Sequence, residues 1–392
     1  MSNRTHDPVK TLDELRNHLA LHDKPIAFFF GAGTSCSIRI GNDPLIPAVE
    51  ELTRRCREAA QALGDEFLEA WDSIANGCDT GTRKANVEDI LSRLHTMVAA
   101  MVDSDELSGL NRAQLRELDA TTRTTIAETV NPEMSSVPEN FPHRQFARWI
   151  SRSSHHRPVE VFTVNYDVLI EHGMEVERVP LHDGFVGSYR PFFYPESLQL
   201  PESQPGATWS RLWKMHGSVT WRRVDRGGRS DIVRGNPRSD GEMIYPSLQK
   251  YEQSRQQPYV AFRNRLAWFL GQQDAVLIIS GFSFGDDHIN DLLFRALENH
   301  PRTHIYALQF REEPEDSDLT KRAEQHRNIL VVGPKTAVIS GRRLPWYASN
   351  VPAVLGNVIR SRSNGDKEDD VEVGIGDFAI FCQFIESMTE RD

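Results

Sequence analysis

Ile26-Ala27-Phe28-Phe29-Phe30, followed without a break by Gly31-Ala32-Gly33-Thr34-Ser35, is the stretch that decides how this chain folds. Five apolar residues in a row, with no polar alternation, read as a strand buried on both faces, as in a parallel sheet covered by helices. The glycines end it in a tight loop. Positions 31 and 33 leave room for backbone N–H groups to approach a pyrophosphate, and Thr34 and Ser35 add hydroxyl donors. A plain strand-to-helix turn would use the same residues, and Cys36 stands where the common dinucleotide fingerprint has its third glycine.

Working outward, Pro44 and Pro47 open a helix from about Ala48 to Ala62. In Asn86 to Val98, the apolar residues Val87, Ile90, Leu91, Leu94, Met97 and Val98 share one face, with Asn86 as cap. The polar, Thr-rich stretch from Met101 to Phe141 ends in Asn131-Pro132 and Val137-Pro138 and reads as helical insertion plus connecting loop. Strands are expected again at Val159–Val164, Leu212–Met215, Ala275–Ser280, Ile305–Leu308 and Ile329–Val332, each followed by glycine or polar residues. Strands alternating with helices predict an α/β fold with a Rossmann-like parallel sheet flanked by helices. Leu181 to Ser210, rich in Pro, Gly and aromatics, reads as an ordered loop region over the site. Ser361 to Asp370 reads as a charged linker, and Asp377 to Met388 as a short helix. The domain reading is 1–345, with its insertion at about 50–140, and a C-terminal tail over 346–392.

The net charge of −11 over 392 residues argues against a general nucleic-acid binder, since phosphate backbones are held by excess Lys and Arg. No apolar run reaches the roughly 18 to 20 residues of a membrane helix, and Met1 to Lys10 is too polar for a signal peptide, so a cytoplasmic location is expected. Cys36, Cys56, Cys78 and Cys382 show no CxxC pairing and no metal-ligand spacing, so no metal is expected.

Three more strand ends carry polar residues. Asn165 and Asp167 lie two residues apart after Val159–Val164, so in an extended segment both point one way; a pair gripping a ligand and a helix cap fit equally. His216 ends Leu212-Trp213-Lys214-Met215 beside Gly217, as a base or as a structural histidine. Gly281 and Ser283, with Asp286 and Asn290 beyond, follow another strand, where a ribose or diphosphate would sit.

Together GAGTS, TVNYD, KMHGS and GFSFGDDHIN resemble, in order and character, the successive NAD-site motifs of sirtuin-like proteins. The resemblance spans Phe28 to Asn290, and Asn86-Val87-Glu88-Asp89-Ile90-Leu91 is similar to the helical segment that bacterial members carry between the first two motifs. It implies that Gly31, Ala32, Gly33, Thr34 and Ser35 line the NAD phosphates and nicotinamide ribose, and that Gly281 and Ser283 line the adenosine half. Asn165 and His216 become the catalytic pair, Asp167 orients the ribose or the Asn165 amide, and Asp286 stands nearby as support.

The cysteine-free span from Cys78 to Cys382 lacks the zinc ribbon of the family's protein deacylases, and with it their acyl-lysine groove. What remains resembles the NAD glycohydrolases of bacterial antiviral defence, which release nicotinamide and ADP-ribose and drain the cofactor pool during phage infection. The resemblance implies control by self-assembly into a homo-oligomer or by a HerA-type hexameric ATPase, with the insertion and the C-terminal helix as docking elements. Other readings are a silent NAD or ADP-ribose sensor and, further off, a protein deacylase or ADP-ribosyltransferase.

Overall fold

Ile26–Phe30 forms strand β1, and all five of its residues are buried. The computed structural model describes residues 5–21, 23–79, 84–153, 156–226, 229–236, 257–364 and 367–389. Around β1 lie β2 (Glu160–Thr163), β3 (Leu181–His182), β4 (Ser210–Lys214), β5 (Val276–Ser280), β6 (His304–Leu308), β7 (Ile329–Val332), β8 (Thr336–Ile339) and β9 (Arg342–Pro345). They make one nine-stranded sheet in the order β9-β8-β7-β6-β5-β1-β2-β4-β3. All pairings are parallel except those of β8, which runs antiparallel to both its neighbours. Each strand of the expected set is present, and the fold is the α/β, Rossmann-like arrangement.

The strand order places the site. From β1 the chain builds outward through β2 and β4 on one side, then returns to lay β5, β6 and β7 on the other. The order therefore reverses between β1 and β5, and ligands of open α/β sheets bind outside the carboxyl ends of the strands at such a point.

Both faces are covered. On one, Phe28, Phe30, Val161 and Leu212 pack with helices α1 (Pro8–Ala20), α6 (Pro142–Arg152) and α10 (Phe378–Ser387). On the other, Phe29, Phe162 and Trp213 pack with α8 (Tyr259–Leu270) and α9 (Asp287–Asn299). The insertion has its own core, built from α2 (Val49–Leu63), α3 (Asp65–Cys78), α4 (Val87–Ala100) and α5 (Arg112–Thr129), and that core takes in Leu169, which opens the helix after β2, and Val219 from the turn after β4. Helix α4 begins with a full capping box between Asn86 and Asp89, which satisfies its first amides and fixes its start one residue after Asn86.

Two expectations need correction. Leu181 to Ser210 is not a loop region: Phe185–Val186 and Phe192–Phe193 join the strands 221–226 and 229–234 in a four-stranded sheet. Its Phe185, Phe193 and Trp221 are buried against Phe262, so apolar burial, not turn composition, decides the segment. The charged stretch Ser361 to Asp370, of which 365 and 366 lie outside the described residues, is not a linker but a hairpin in which Ile359–Asn364 pairs with Lys367–Val373. Ile359, Val371 and Val373 anchor it in the core that holds β1. Helix α10 packs on its own domain, with Phe378, Phe381, Cys382, Phe384 and Ile385 buried in that same core. No described helix is long and apolar enough to cross a membrane.

Candidate functional site

Two residues past the paired positions Thr163 and Lys214, β2 and β4 deliver Asn165 and His216 side by side at the carboxyl end of the sheet. Asn165 is 7% exposed, and its amide Nδ2 donates to Gly31 O at 3.1 Å, Thr34 Oγ1 at 3.0 Å and Ser35 Oγ at 2.9 Å. These contacts turn its NH₂ into the protein and fix the plane of the amide.

The segment after β1 is not an open loop, since Ala32–Cys36 forms a single helical turn that starts at Gly31, and its hydroxyls are spoken for. Thr34 Oγ1 donates to Gly31 O at 2.9 Å, and Ser35 Oγ donates to Asp167 Oδ2 at 2.6 Å. Both side chains are buried, so they brace Asn165 and Asp167 instead of offering donors outward as the sequence suggests. Ala32 and Gly33 are the exposed members of that loop, and Ser283 is exposed across from it. The other oxygen of Asp167 accepts the Leu169 amide at 3.0 Å, the first of helix α7 (Leu169–Val176), whose N-cap is Val168, so Asp167 ties the start of that helix to Ser35.

The glycines are required by contact between loops. A Cβ on Gly31 would lie 2.5 Å from Gly281 O, one on Gly33 2.7 Å from Gly281 Cα, and one on Gly281 2.4 Å from Thr34 N. Gly33 N donates to Gly281 O at 2.9 Å, and Gly281 adopts φ +66°, which favours glycine. Gly281 is thus pressed against the GAGTS loop, and the two loops make a backbone-lined edge at the switch point.

His216, nearly buried, places Nε2 3.1 Å from Asp286 Oδ2. Asp286 Oδ1 accepts the amides of His288 and Ile289 at 3.0 and 3.3 Å, so it caps α9 while facing the imidazole. Asn290 does not join the cluster through its amide, which donates to Phe284 O at 2.7 Å.

Beneath the site lies a polar group the sequence reading passed over. Lys214 Nζ, at the end of β4, donates to Asp167 O and, at 2.9 Å, to Glu171 Oε1. Burial holds the Glu171 carboxyl above the usual carboxylate range despite Lys214. His143 is fully buried with neither ring nitrogen hydrogen-bonded, and burial lowers its pKa to about 4. A lysine closing an apolar strand is the signal that marks this group in the sequence. The Cys36 thiol is raised to about 11 by burial and by the Asp167 carboxylate, which leaves it protonated and inert.

A cleft of about 210 Å³ lined by Val219, Thr220, Trp221, Arg222, Gly235 and Asn236 opens just past the His216 turn. Another, about 360 Å³ and lined by His95, Arg116, Asp119 and Arg123, lies on the insertion and contains none of the strand-end motif residues. Among the described residues no three His, Cys, Asp or Glu side chains converge as a metal site requires, and all four cysteines are free.

Residues 159–332 match the family model of the SIR2-like domain. That match supports a sirtuin-like domain over the span from β2 to β7 and an NAD-related function in general. It contains Asn165, Asp167, His216, Gly281, Ser283 and Asp286. The GAGTS loop lies ahead of the matched span, and the sheet joins it by setting β1 between β2 and β5. No curated protein matches the chain.

Proposed function

We propose that the protein is an NAD glycohydrolase that cleaves the nicotinamide–ribose bond, releasing nicotinamide and ADP-ribose. The observation that carries this reading is the pairing, on adjacent strand ends, of an amide fixed by the GAGTS loop with an imidazole fixed by a carboxylate. The glycine edge of Gly31, Gly33 and Gly281, with Ala32 and Ser283 exposed beside it, suits a dinucleotide whose phosphates need close backbone approach.

In this reading the ribose C1′–N bond breaks and its electron pair returns to the pyridinium nitrogen, giving neutral nicotinamide. Positive charge grows on the ribose, as in other glycosidic cleavages. With its NH₂ turned inward, Asn165 would use its amide oxygen to hold a water or a ribose hydroxyl, and Asp167 and Ser35 would keep that amide in place. The water oxygen bonds to C1′, and His216, braced by Asp286, takes the proton. Thr34 acts through Asn165, and the cofactor would meet Ala32, Gly33 and the backbone of the loop.

An unregulated enzyme of this kind would exhaust the NAD pool, and we read its role as NAD depletion in bacterial antiphage defence, held in check by self-assembly or by a HerA-type ATPase. Release of nicotinamide and ADP-ribose from NAD by the purified protein, followed by chromatography, tests the reading. Both products in equal amount support it. Tight NAD or ADP-ribose binding with no product, alone or with an ATPase partner, overturns it in favour of a sensor.

A further inference from the structure

Lys214 is 2% exposed at the end of a strand whose same-face neighbour is Leu212. Burying an ammonium there is costly, and an apolar residue of similar volume would often serve packing equally well or better. The charge instead has two partners, the Asp167 main chain and the Glu171 carboxyl. Nζ donates to the backbone oxygen of Asp167, the residue whose carboxylate takes the Ser35 hydroxyl at 2.6 Å; Ser35 in turn accepts from the Asn165 amide at 2.9 Å. On its own strand Lys214 stands two residues before His216.

We infer that Lys214 is a positioning residue that clamps the Asn165–Asp167 turn to the strand carrying His216, with Glu171 as its counter-ion. Backbone bonds from Met215 N to Thr163 O, 2.7 Å, and from Val219 N to Tyr166 O, 3.1 Å, join the same segments on either side. Asp167 leaves the sheet ladder to open α7, and Lys214 supplies the lateral bond to its carbonyl. The titratable groups around the ammonium are Asp167, Glu171 and His143. With His143 neutral, the ammonium pairs with one carboxylate, Glu171, and bonds the main-chain oxygen of Asp167, while Glu171 Oε2 makes no hydrogen bond. The Asp167 carboxylate is held by Ser35 and the Leu169 amide, so the Asp167 turn is gripped at its side chain by those groups and at its main chain by Lys214.

The clamp's effect on turnover rests on the NAD-cleaving reading; its effect on the turns does not. The test therefore begins without ligand, comparing hydrogen exchange and thermal unfolding of the wild type with Lys214→Met/Glu171→Leu, which removes both charges and leaves no carboxylate unpaired. The expected result is a melting temperature close to wild type, with amides at 165–169 and 216–219 exchanging at least ~10-fold faster and the rest of the sheet unchanged. Unchanged protection in those two turns overturns the inference. If that variant does not fold, Lys214→Gln/Glu171→Gln, which keeps a hydrogen-bonding pair, is read the same way. Failure of both to fold assigns Lys214 to stability alone and also overturns it. Nicotinamide release is measured alongside. With an active wild type, kcat should fall ~10-fold or more with KM little changed. An inactive wild type counts against the hydrolase and leaves the exchange result to decide the clamp.

Discussion

Strands β2 and β4 carry a polar cluster at each end, and the two clusters differ in what completes them. At the amino end, Glu160 accepts Trp213 Nε1 at 2.7 Å and Arg265 Nε and Nη2 at 2.8 and 2.6 Å, with Arg211 at 3.7 Å. Glu160, Arg211 and Arg265 are all buried, and the arrangement ties α8 to the sheet. The carboxylate is saturated by protein groups, so that end is an anchor. At the carboxyl end, the protein fixes the Asn165 NH₂ and faces His216 with Asp286, at the point where the strand order reverses and beside the exposed Ala32, Gly33 and Ser283. Buried charge alone does not mark a site; its place in the topology and what its partners leave to a ligand do.

Arg265→Ala should separate the ends most sharply. It leaves Glu160 buried and short of its main partner, which costs about 3 to 5 kcal/mol in denaturant unfolding, while kcat per folded molecule is unchanged. A large loss of turnover without loss of stability would break the distinction.

His143→Phe should come next. The folded pKa of His143, about 4, lies below its ordinary 6.5, so the unfolded chain takes up the proton first as pH falls. Its contribution is therefore complete above pH 6.5 and is lost progressively as pH falls toward 4, by about 3 kcal/mol. Phenylalanine, suited to a ring already packed on Phe378, should reduce the slope of unfolding free energy against pH in that window, leaving the part that His18, His182 and His304, also lowered by burial, contribute.

Gly281→Ala forces a Cβ to 2.4 Å from Thr34 N at a positive φ and should cost at least about 2 kcal/mol, along with NAD affinity measured by calorimetry. Asp286→Asn should be the mildest for the fold. Asparagine caps as well as aspartate, so stability should stay within about 0.5 kcal/mol. Turnover should fall by less than the ~100-fold to 10,000-fold expected on losing a general base.

The sheet was legible because parallel strands buried on both faces are written as unbroken apolar runs, as in Ile26–Phe30 and Val276–Ser280. Helix α4 was legible from its face and its Asn86 cap. The strands 221–226 and 229–234 were not, because they carry arginines through much of their length and are fixed by distant aromatics such as Phe193 and Phe262. In the site, the strand-end positions of Asn165, Asp167, His216 and Gly281 followed from the pattern. The inward turn of Thr34 and Ser35 did not, since it is set by Asn165 and Asp167 more than a hundred residues away. Nor did the His216–Asp286 pair, which needs β4 and β5 on opposite sides of β1 and β2 with their loops folded toward each other.

The most direct test of the central claim is nicotinamide release from NAD by the wild type and by His216→Ala, with NAD affinity and thermal unfolding measured on the same samples. The account expects release by the wild type and its loss by ~100-fold or more in the variant, with binding and fold retained. Undiminished release by a folded His216→Ala protein would contradict it.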